Sequence, residues 1–160
     1  MPVAAPLLQE KIAAVLAENT VMNLATCGEA SPWCFTCYFA EDGLDLLFLV
    51  ERVSTTMDNL RENPRAAFTV NRQVPDRFVQ GLGRVEIVAD LADQPDAYAP
   101  LRAKIPEIDG FVRVVPGLVL ARVVTERIGL VDVGAGIVPR HMLERRGDEW
   151  DAGVAMGRPG

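Results

Sequence analysis

Three apolar runs follow one another near the start of the chain, with only short polar segments between them. The runs are Val21–Cys27, Trp33–Ala40 and Leu44–Val50, and the segments Gly28–Ser31 and Glu41–Gly43 separate them. Runs of this length with aromatic and β-branched residues are typical of β-strands, and Asp-Gly between two such runs is a hairpin signal. Because connections this short join antiparallel neighbours, the three runs predict a sheet that begins with two hairpins.

The remaining segments alternate between helical and extended patterns. Apolar residues at helical spacing and cap-type residues predict helices over 6–19, 54–62 and 94–105. Further apolar runs predict strands over 65–71, 78–89 and 118–133, and Gly81 and Gly83 predict a bulge or a close backbone approach in the second of them. Several strands are apolar on both faces, as a closed barrel with an outer covering or a dimer contact requires. The sequence therefore predicts a mainly β fold with six antiparallel strands and flanking helices.

The length of 160 residues, of which 49% are hydrophobic, fits one domain with a core of its own. No repeat, linker or low-complexity tract divides the chain. We predict a single domain over residues 1–146. Because residues 147–160 are polar and rich in glycine, we expect them to form a poorly ordered tail.

The charge balance is acidic, since 16 Lys and Arg stand against 22 Asp and Glu, which gives a net charge of −6. Binding to nucleic acid or to an anionic membrane surface depends on a dominantly basic surface, so both are excluded as main functions. No run approaches the roughly 20 apolar residues of a membrane span. Met1–Ala5 lacks the basic start of a secretion signal, and we expect a cytoplasmic protein.

The chain has three cysteines, Cys27, Cys34 and Cys37, and one histidine, His141. An odd number of cysteines agrees with reduced thiols in the cytoplasm. Cys34 and Cys37 form a CxxC pair, but residues three apart in a strand point to opposite faces, so we expect buried structural thiols rather than a redox pair or a zinc site. One histidine excludes a His-rich metal site; we predict no metal and expect His141 to be partly exposed.

A candidate anion site follows the third strand. Arg52, Ser54, Thr55 and Thr56 place a guanidinium and three hydroxyls where the free N–H groups of a helix begin. Those N–H groups and the helix dipole favour a phosphate. The alternative is that Ser54 caps the helix and that the threonines face solvent.

In their order and spacing these motifs resemble the pyridoxamine 5′-phosphate oxidase-like FMN-binding split barrels, in particular their small bacterial members. The resemblance covers Val21–Glu144, and four segments carry it: Pro32–Phe39, Leu47–Val50, Ser54–Arg65 and Val79–Gly83. It implies a six-stranded split β-barrel that forms a homodimer, with FMN in a groove between the subunits. It also implies a flavin-dependent oxidoreductase that acts on a small molecule.

The resemblance further implies which residues hold the cofactor. Along the flavin and ribityl chain it places Trp33, Cys34, Phe35 and Thr36, and against the isoalloxazine ring it places Leu49 and Val50. At the phosphate it places Ser54, Thr55 and Thr56 beside Arg52, and near the ring edge it places Gln80.

Two departures from the family pattern bear on function. Thr55-Thr56 stands where many members carry basic residues, which removes a charge-assisted hydrogen bond worth about 1.5–3 kcal/mol and leaves Arg52, Arg72 or Arg84 to neutralise the phosphate. The C-terminal Trp and Arg of the true oxidases have no match in Ile137–Arg146, so we do not expect oxidation of pyridoxamine phosphate.

Two alternatives to the flavin oxidoreductase stay open. One is a binding or sensing protein that takes flavin weakly, or takes a deazaflavin, or takes haem with His141 as the axial ligand. The other is a structural dimer without a cofactor.

Overall fold

The barrel is built from one continuous antiparallel sheet. The computed structural model describes residues 3–29, 31–72 and 75–153. Within these ranges the helices are α1 (Ala5–Glu18), α2 (Thr55–Glu62), α3 (Ala99–Lys104) and α4 (Ile108–Val114). The strands are β1 (Val21–Cys27), β2 (Pro32–Asp42), β3 (Asp45–Glu51), β4 (Arg65–Asn71), β5 (Arg77–Asp90), β6 (Leu118–Asp132), β7 (Ile137–Arg146) and β8 (Glu149–Gly153). Along the sheet they follow the order β3-β2-β1-β4-β5-β6-β7-β8.

Closure of the barrel depends on β6. One edge of β6 pairs with β5, while the other edge pairs first with β3 over Leu118–Val123 and then with β7 between Arg127 and Asp132. The pairing with β3 joins the two ends of a six-strand sheet, so β1–β6 form the barrel and the β7–β8 hairpin continues the sheet beyond it. The predicted six-stranded antiparallel split barrel with flanking helices is confirmed.

Strand alternation and one helix fill the barrel interior. In β1, Met22 and Leu24 are buried while their neighbours on either side are exposed. The apolar side of α1, which includes Ile12 and Leu16, belongs to the same core cluster. A second cluster joins α3 and α4 to Leu47 and to other residues of β2, β3 and β6. The two short helices therefore cover one side of the barrel.

The predicted helix over 94–105 is wrong in its first half. Residues 91–98 form turns, and α3 begins only at Ala99. Pro95 and Pro100 have no N–H, and a helix tolerates proline only in its first turn, where no donor is needed. The helix therefore begins next to Pro100, and the chain forms a separate helix, α4, after Pro106.

The predicted disordered tail is wrong for residues 147–153. Gly147 and Asp148 form a two-residue turn between β7 and β8, and Gly147 has a φ of +63°. A glycine with positive φ at the first turn position suits a tight hairpin, so the polar, glycine-containing sequence is a turn rather than a tail. Residues 154–160 lie outside the described residues.

The cysteines differ in their surroundings. Cys27 and Cys34 are exposed, so the expectation of buried thiols is wrong for these two. Cys37 is half-buried against the barrel core, and burial raises the pKa of its thiol far above the ordinary value. The CxxC thiols therefore lie in different environments, as strand alternation predicts. In the described ranges no group of three His, Cys, Asp or Glu side chains is placed to hold a metal, and no helix there could cross a bilayer.

Gly83 lies at a bulge in β5, where the backbones of β5 and β6 approach each other closely. The register with β6 shifts between Leu82 and Gly83, and a Cβ at Gly83 would lie 2.2 Å from the carbonyl oxygen of Val124. Because a backbone atom cannot move aside locally, we expect Gly83→Ala to lower the free energy of unfolding by about 1–3 kcal/mol in urea titrations. The matched control is Gly110→Ala in α4, where a Cβ would meet no atom within 4 Å. The control should be neutral or slightly stabilising; equal effects of both variants would contradict the bulge geometry.

Thiol labelling tests the environments of the cysteines. At pH 8, iodoacetamide should alkylate the exposed Cys27 readily and should leave Cys37 unmodified, because only the thiolate reacts and burial holds the Cys37 thiol protonated. Peptide mass spectrometry reads out each site. Adding urea should make Cys37 react like Cys27. Equal labelling of the two in the folded protein would show that Cys37 is not buried as described.

Candidate functional site

The barrel opens between β2 and β3. These strands pair only from Phe39–Phe48 to Asp42–Asp45; beyond this ladder β2 pairs with β1 alone and β3 with β6 alone. The opening forms a cavity of about 380 Å³, here called the strand cleft. Its lining residues are Val21, Phe35, Thr36, Cys37, Tyr38, Leu49, Val50, Glu51, Ile108, Phe111 and Leu118. Because peptide groups along a strand alternate between its two edges, part of the β2 and β3 backbone presents N–H and C=O groups to this cleft.

Aromatic and aliphatic side chains form the walls of the strand cleft. The rings of Tyr38 on β2 and Phe111 on α4 meet edge to face, with centroids 6.1 Å apart. Leu49 is buried on β3. The raised pKa of Cys37 keeps its thiol neutral, so it contributes a small apolar group rather than a nucleophile. Glu51 is the one charged side chain among the lining residues.

The predicted anion turn is an N-cap. The Ser54 hydroxyl accepts a hydrogen bond from the Met57 N–H at 3.1 Å and donates one to the Glu51 carbonyl at 2.8 Å. Thr55 is exposed, whereas Thr56 is buried and does not face solvent. The capping alternative therefore describes Ser54, and the turn leaves the Thr55 hydroxyl and the remaining N-terminal N–H groups for a ligand.

Arg52 is directed to another acceptor. Its Nε and Nη2 donate to Asp90 at 2.9 and 2.5 Å. The pKa of Asp90 lies below its ordinary value, first because the backbone N–H of Ala92 donates to this carboxylate and then because Arg52 does. Arg61, which the sequence did not single out, donates to the Arg52 carbonyl at 3.1 Å and pairs with Asp58. The guanidinium of Arg61, on α2, thus lies beside the turn, whereas that of Arg52 is directed to Asp90.

A second cavity of about 210 Å³ lies on the outer wall of the barrel and is here called the wall pocket. Its lining residues are Asn23, Ala25, Cys34, Ala67, Phe68, Thr69, Gln80, Gly81, Leu82, Arg140 and Met142. Two rows of side chains cross the strands here in register. The polar row is Thr36, Asn23, Thr69 and Gln80, and the small apolar row is Cys34, Ala25, Ala67 and Leu82.

Hydrogen bonds connect most of the polar row. The Thr36 hydroxyl donates to Asn23 Oδ1 at 3.0 Å, and Asn23 Nδ2 donates to Thr69 Oγ1 at 3.4 Å. Thr36 lines the strand cleft, while Asn23 and Thr69 line the wall pocket. The polar row therefore joins the two cavities across the outer surface of β2, β1 and β4.

Arg140 reaches the wall pocket because its neighbour on β6 has no side chain. A Cβ at Gly129 would lie 2.2 Å from Met142 Sδ and 3.0 Å from Arg140 Cδ, so both β7 side chains lie across the space that Gly129 leaves. The Nε of Arg140 is buried and has no hydrogen-bond partner among the residues that the structure describes. A buried N–H of a permanent cation is costly to leave unpaired, so this guanidinium favours an acceptor in the pocket.

The structure brings the predicted site residues together in three neighbouring places. Phe35, Thr36, Leu49 and Val50 line the strand cleft, and Cys34 and Gln80 line the wall pocket. Arg52, Ser54, Thr55 and Thr56 form the turn after β3, and Trp33 is exposed at the start of β2. Arg140 and Arg61 were missed. Gly129 inside an apolar strand was the available signal of a close approach, but nothing in the sequence says which residue fills that space.

Comparisons with known proteins agree with this fold. The family model of pyridoxamine 5′-phosphate oxidase matches residues 8–132, which run from α1 to the end of β6. None of the curated proteins compared with the chain matches it.

Several solved structures share the fold at low sequence identity. A haem-binding protein from Mycobacterium smegmatis is 16% identical with a TM-score of 0.66, and the match covers 95% of this chain and 60% of that one. General Stress Protein 26 from Bacillus anthracis is 17% identical with a TM-score of 0.62, over 78% of this chain and 93% of that one. A FAD-binding protein from Mesorhizobium loti is 19% identical with a TM-score of 0.60, over 74% and 90%.

These likenesses show the fold, and the proteins that carry it differ in what they bind. This chain spans only 60% of the length of the Mycobacterium protein. The family model takes in most of α1, all six barrel strands and the turn after β3. The chain therefore belongs to the pyridoxamine 5′-phosphate oxidase family.

Proposed function

We propose that the protein is a homodimeric flavoprotein that holds FMN between the strand cleft of one subunit and the wall pocket of the other. The observation that carries the proposal is the opening between β2 and β3. It combines apolar walls with unpaired strand edges. An isoalloxazine ring needs both, because its faces are apolar and its pyrimidine edge carries hydrogen-bond donors and acceptors.

The residues present fit the remaining parts of FMN. Thr55 and the free N–H groups at the start of α2 suit the phosphate, and Arg61 supplies the nearby cation. Arg140 has a buried N–H to which no other described residue offers an acceptor, and this suits a carbonyl or a negatively charged ring edge. Arg52 is the weaker candidate for the phosphate, because two hydrogen bonds hold its guanidinium on Asp90, whereas one hydrogen bond joins the more exposed Arg61 to Asp58.

When bound, FMN would supply hydride or electron transfer to a small molecule, and the protein would supply position and electrostatics. The strand cleft offers little acid–base chemistry of its own, because its thiol is neutral and Glu51 is its one charged lining group. The chain would act by orienting the ring along β2, excluding water with Tyr38 and Phe111, and placing the Arg140 guanidinium near the ring.

The small apolar row supports the dimer. Ala25, Ala67 and Leu82 lie side by side on three neighbouring strands of the outer wall, so another flat surface can approach closely there. Contact at this row would cover the wall pocket and bring Arg140 of one subunit to the ligand of the other. Cys34 lies in the same row and would become buried.

Haem is the second candidate. His141 lines an apolar cavity of about 410 Å³ beside Arg140, with Val3, Leu8, Val138 and Met142 among the walls. A single imidazole could ligate iron and a guanidinium could meet a propionate. If haem binds here, His141→Ala should abolish the Soret shift on titration; an unchanged shift would exclude this site.

Arg140 provides the first test of the flavin site. We expect Arg140→Met to weaken FMN binding about ten- to a hundredfold, because a charge-assisted hydrogen bond in a partly buried site is lost. Quenching of flavin fluorescence on titration measures the dissociation constant. The control is Arg146→Met, an exposed arginine on the same strand that pairs with Asp151. Equal affinity of both variants and wild type would remove Arg140 from the site, and absence of quenching by wild type would refute the flavin.

Light scattering tests the dimer. The wild-type protein should have twice the chain mass of 17.4 kDa. Ala67→Glu should give monomers, because it places a charge at the centre of the small apolar row. The matched control, Ala14→Glu on the exposed side of α1, should stay dimeric. A wild-type monomer across micromolar concentrations would contradict the proposal.

A further inference from the structure

The strand cleft has an uneven charge. Its walls are aromatic and aliphatic, and its one charged lining side chain is the carboxylate of Glu51. Glu51 is exposed at the end of β3, and no ion pair or side-chain hydrogen bond joins its carboxylate to another described residue. Strand alternation places it on the same face of β3 as Leu49, which belongs to the cluster covered by α3 and α4. The α4 side of the cleft therefore has an unpaired negative charge.

Most basic side chains on the surrounding elements are paired with carboxylates. Arg52 pairs with Asp90. On α3, Arg102 donates to Asp109 at 2.8 Å and to the hydroxyl of Tyr98 at 2.7 Å.

Helices α3 and α4 contain two further basic residues, Lys104 and Arg113. Lys104 pairs with Glu41 and donates to the Leu16 carbonyl. Arg113 lies two residues after Phe111, which in a helix places it on the opposite side from the cleft. No basic side chain among the described residues lines the cleft to balance Glu51.

Shape adds a second constraint. Three aromatic side chains, Phe35, Tyr38 and Phe111, line this one cavity. Phe111 is 37% exposed, so part of its ring is accessible to a ligand. Aromatic walls favour flat apolar molecules, and they also favour cations held against a ring face. An anionic group would meet the Glu51 carboxylate, and no basic side chain among the described lining residues would balance the repulsion.

From this we infer that the α4 side of the strand cleft, with Tyr38, Glu51 and Phe111, selects a flat aromatic molecule with a cationic end and rejects its anionic counterparts. The inference rests on the proposed function only in taking this molecule as the partner of the flavin. It separates this chain from any enzyme whose substrate carries a phosphate into the cleft.

Three probes with one ring system test the charge selection: 2-naphthylmethylamine, 2-naphthalenemethanol and 2-naphthoate. Calorimetric titration into the wild-type protein without FMN should rank the amine first and the carboxylate last. We expect the amine to bind at least about fivefold more tightly than the carboxylate, since attraction and repulsion at an exposed carboxylate add up. The ratio should fall in high salt.

Two variants test which side chains cause the charge selection. Glu51→Gln should remove the preference of the amine over the alcohol and leave the alcohol affinity unchanged, whereas Phe111→Ala should weaken all three probes. The matched control, Glu86→Gln at an exposed position of β5, should behave as wild type.

The inference is overturned if the carboxylate binds as tightly as the amine, if no probe binds, or if Glu51→Gln leaves the ratio unchanged. The titration without FMN separates this result from the flavin proposal. Charge selection without FMN binding would refute the flavin alone, and FMN binding without charge selection would refute this inference alone.

Discussion

The ladder between β3 and β6 is the interaction on which the rest of the structure depends. Six residues of β3, from Leu46 to Glu51, pair with Leu118–Val123. This ladder closes the barrel, and it also holds the end of β3 away from β2, whose pairing with β3 stops at Phe39 and Phe48. The pairing of β3 with β6 therefore both closes the barrel and leaves the end of β3 apart from β2. The strand cleft is a consequence of how the barrel closes, and α3 and α4 cover the surface that closure leaves exposed.

The same ladder explains the position of the second cavity. After Val123, β6 leaves β3 and pairs with β7, which brings Arg140 and Met142 onto the barrel wall. β6 thus belongs to both cavities, with Leu118 in the strand cleft and Gly129 under the wall pocket. Loss of order in this strand would affect barrel closure and both cavities together.

The six barrel strands and α2 were predictable because their signals are local. Apolar runs, Asp-Gly turns and an N-cap serine each act within a few residues, and Ser54 caps α2 as its sequence context indicates. The errors in the predicted secondary structure arose where opposing local signals or distant contacts determine the conformation. Prolines confined the helix predicted over 94–105 to Ala99–Lys104, with turns before it, and Gly147 created a hairpin turn where composition indicated a tail.

The strand residues of the candidate site were predictable from the sequence, but the partners and positions of its charged side chains were not. Phe35, Leu49 and Val50 share a cleft because neighbouring strands bring them together. Arg52, in contrast, pairs with a carboxylate 38 residues away, and Arg140 reaches its pocket across a strand. Which ion pairs form depends on tertiary distances that no local pattern encodes.

The polar row on the barrel wall has a direction as well as a position. Thr36 gives its proton to Asn23 Oδ1, which turns the amide so that Nδ2 donates onward to Thr69. The Thr69 oxygen accepts this bond, and its own proton is left for the next acceptor along the row, on the side of Gln80. The row and the buried Nε–H of Arg140 thus offer donors to one pocket from two strands. A molecule that binds there is oriented by polarity, with its oxygen or aromatic nitrogen acceptors facing β4 and β7.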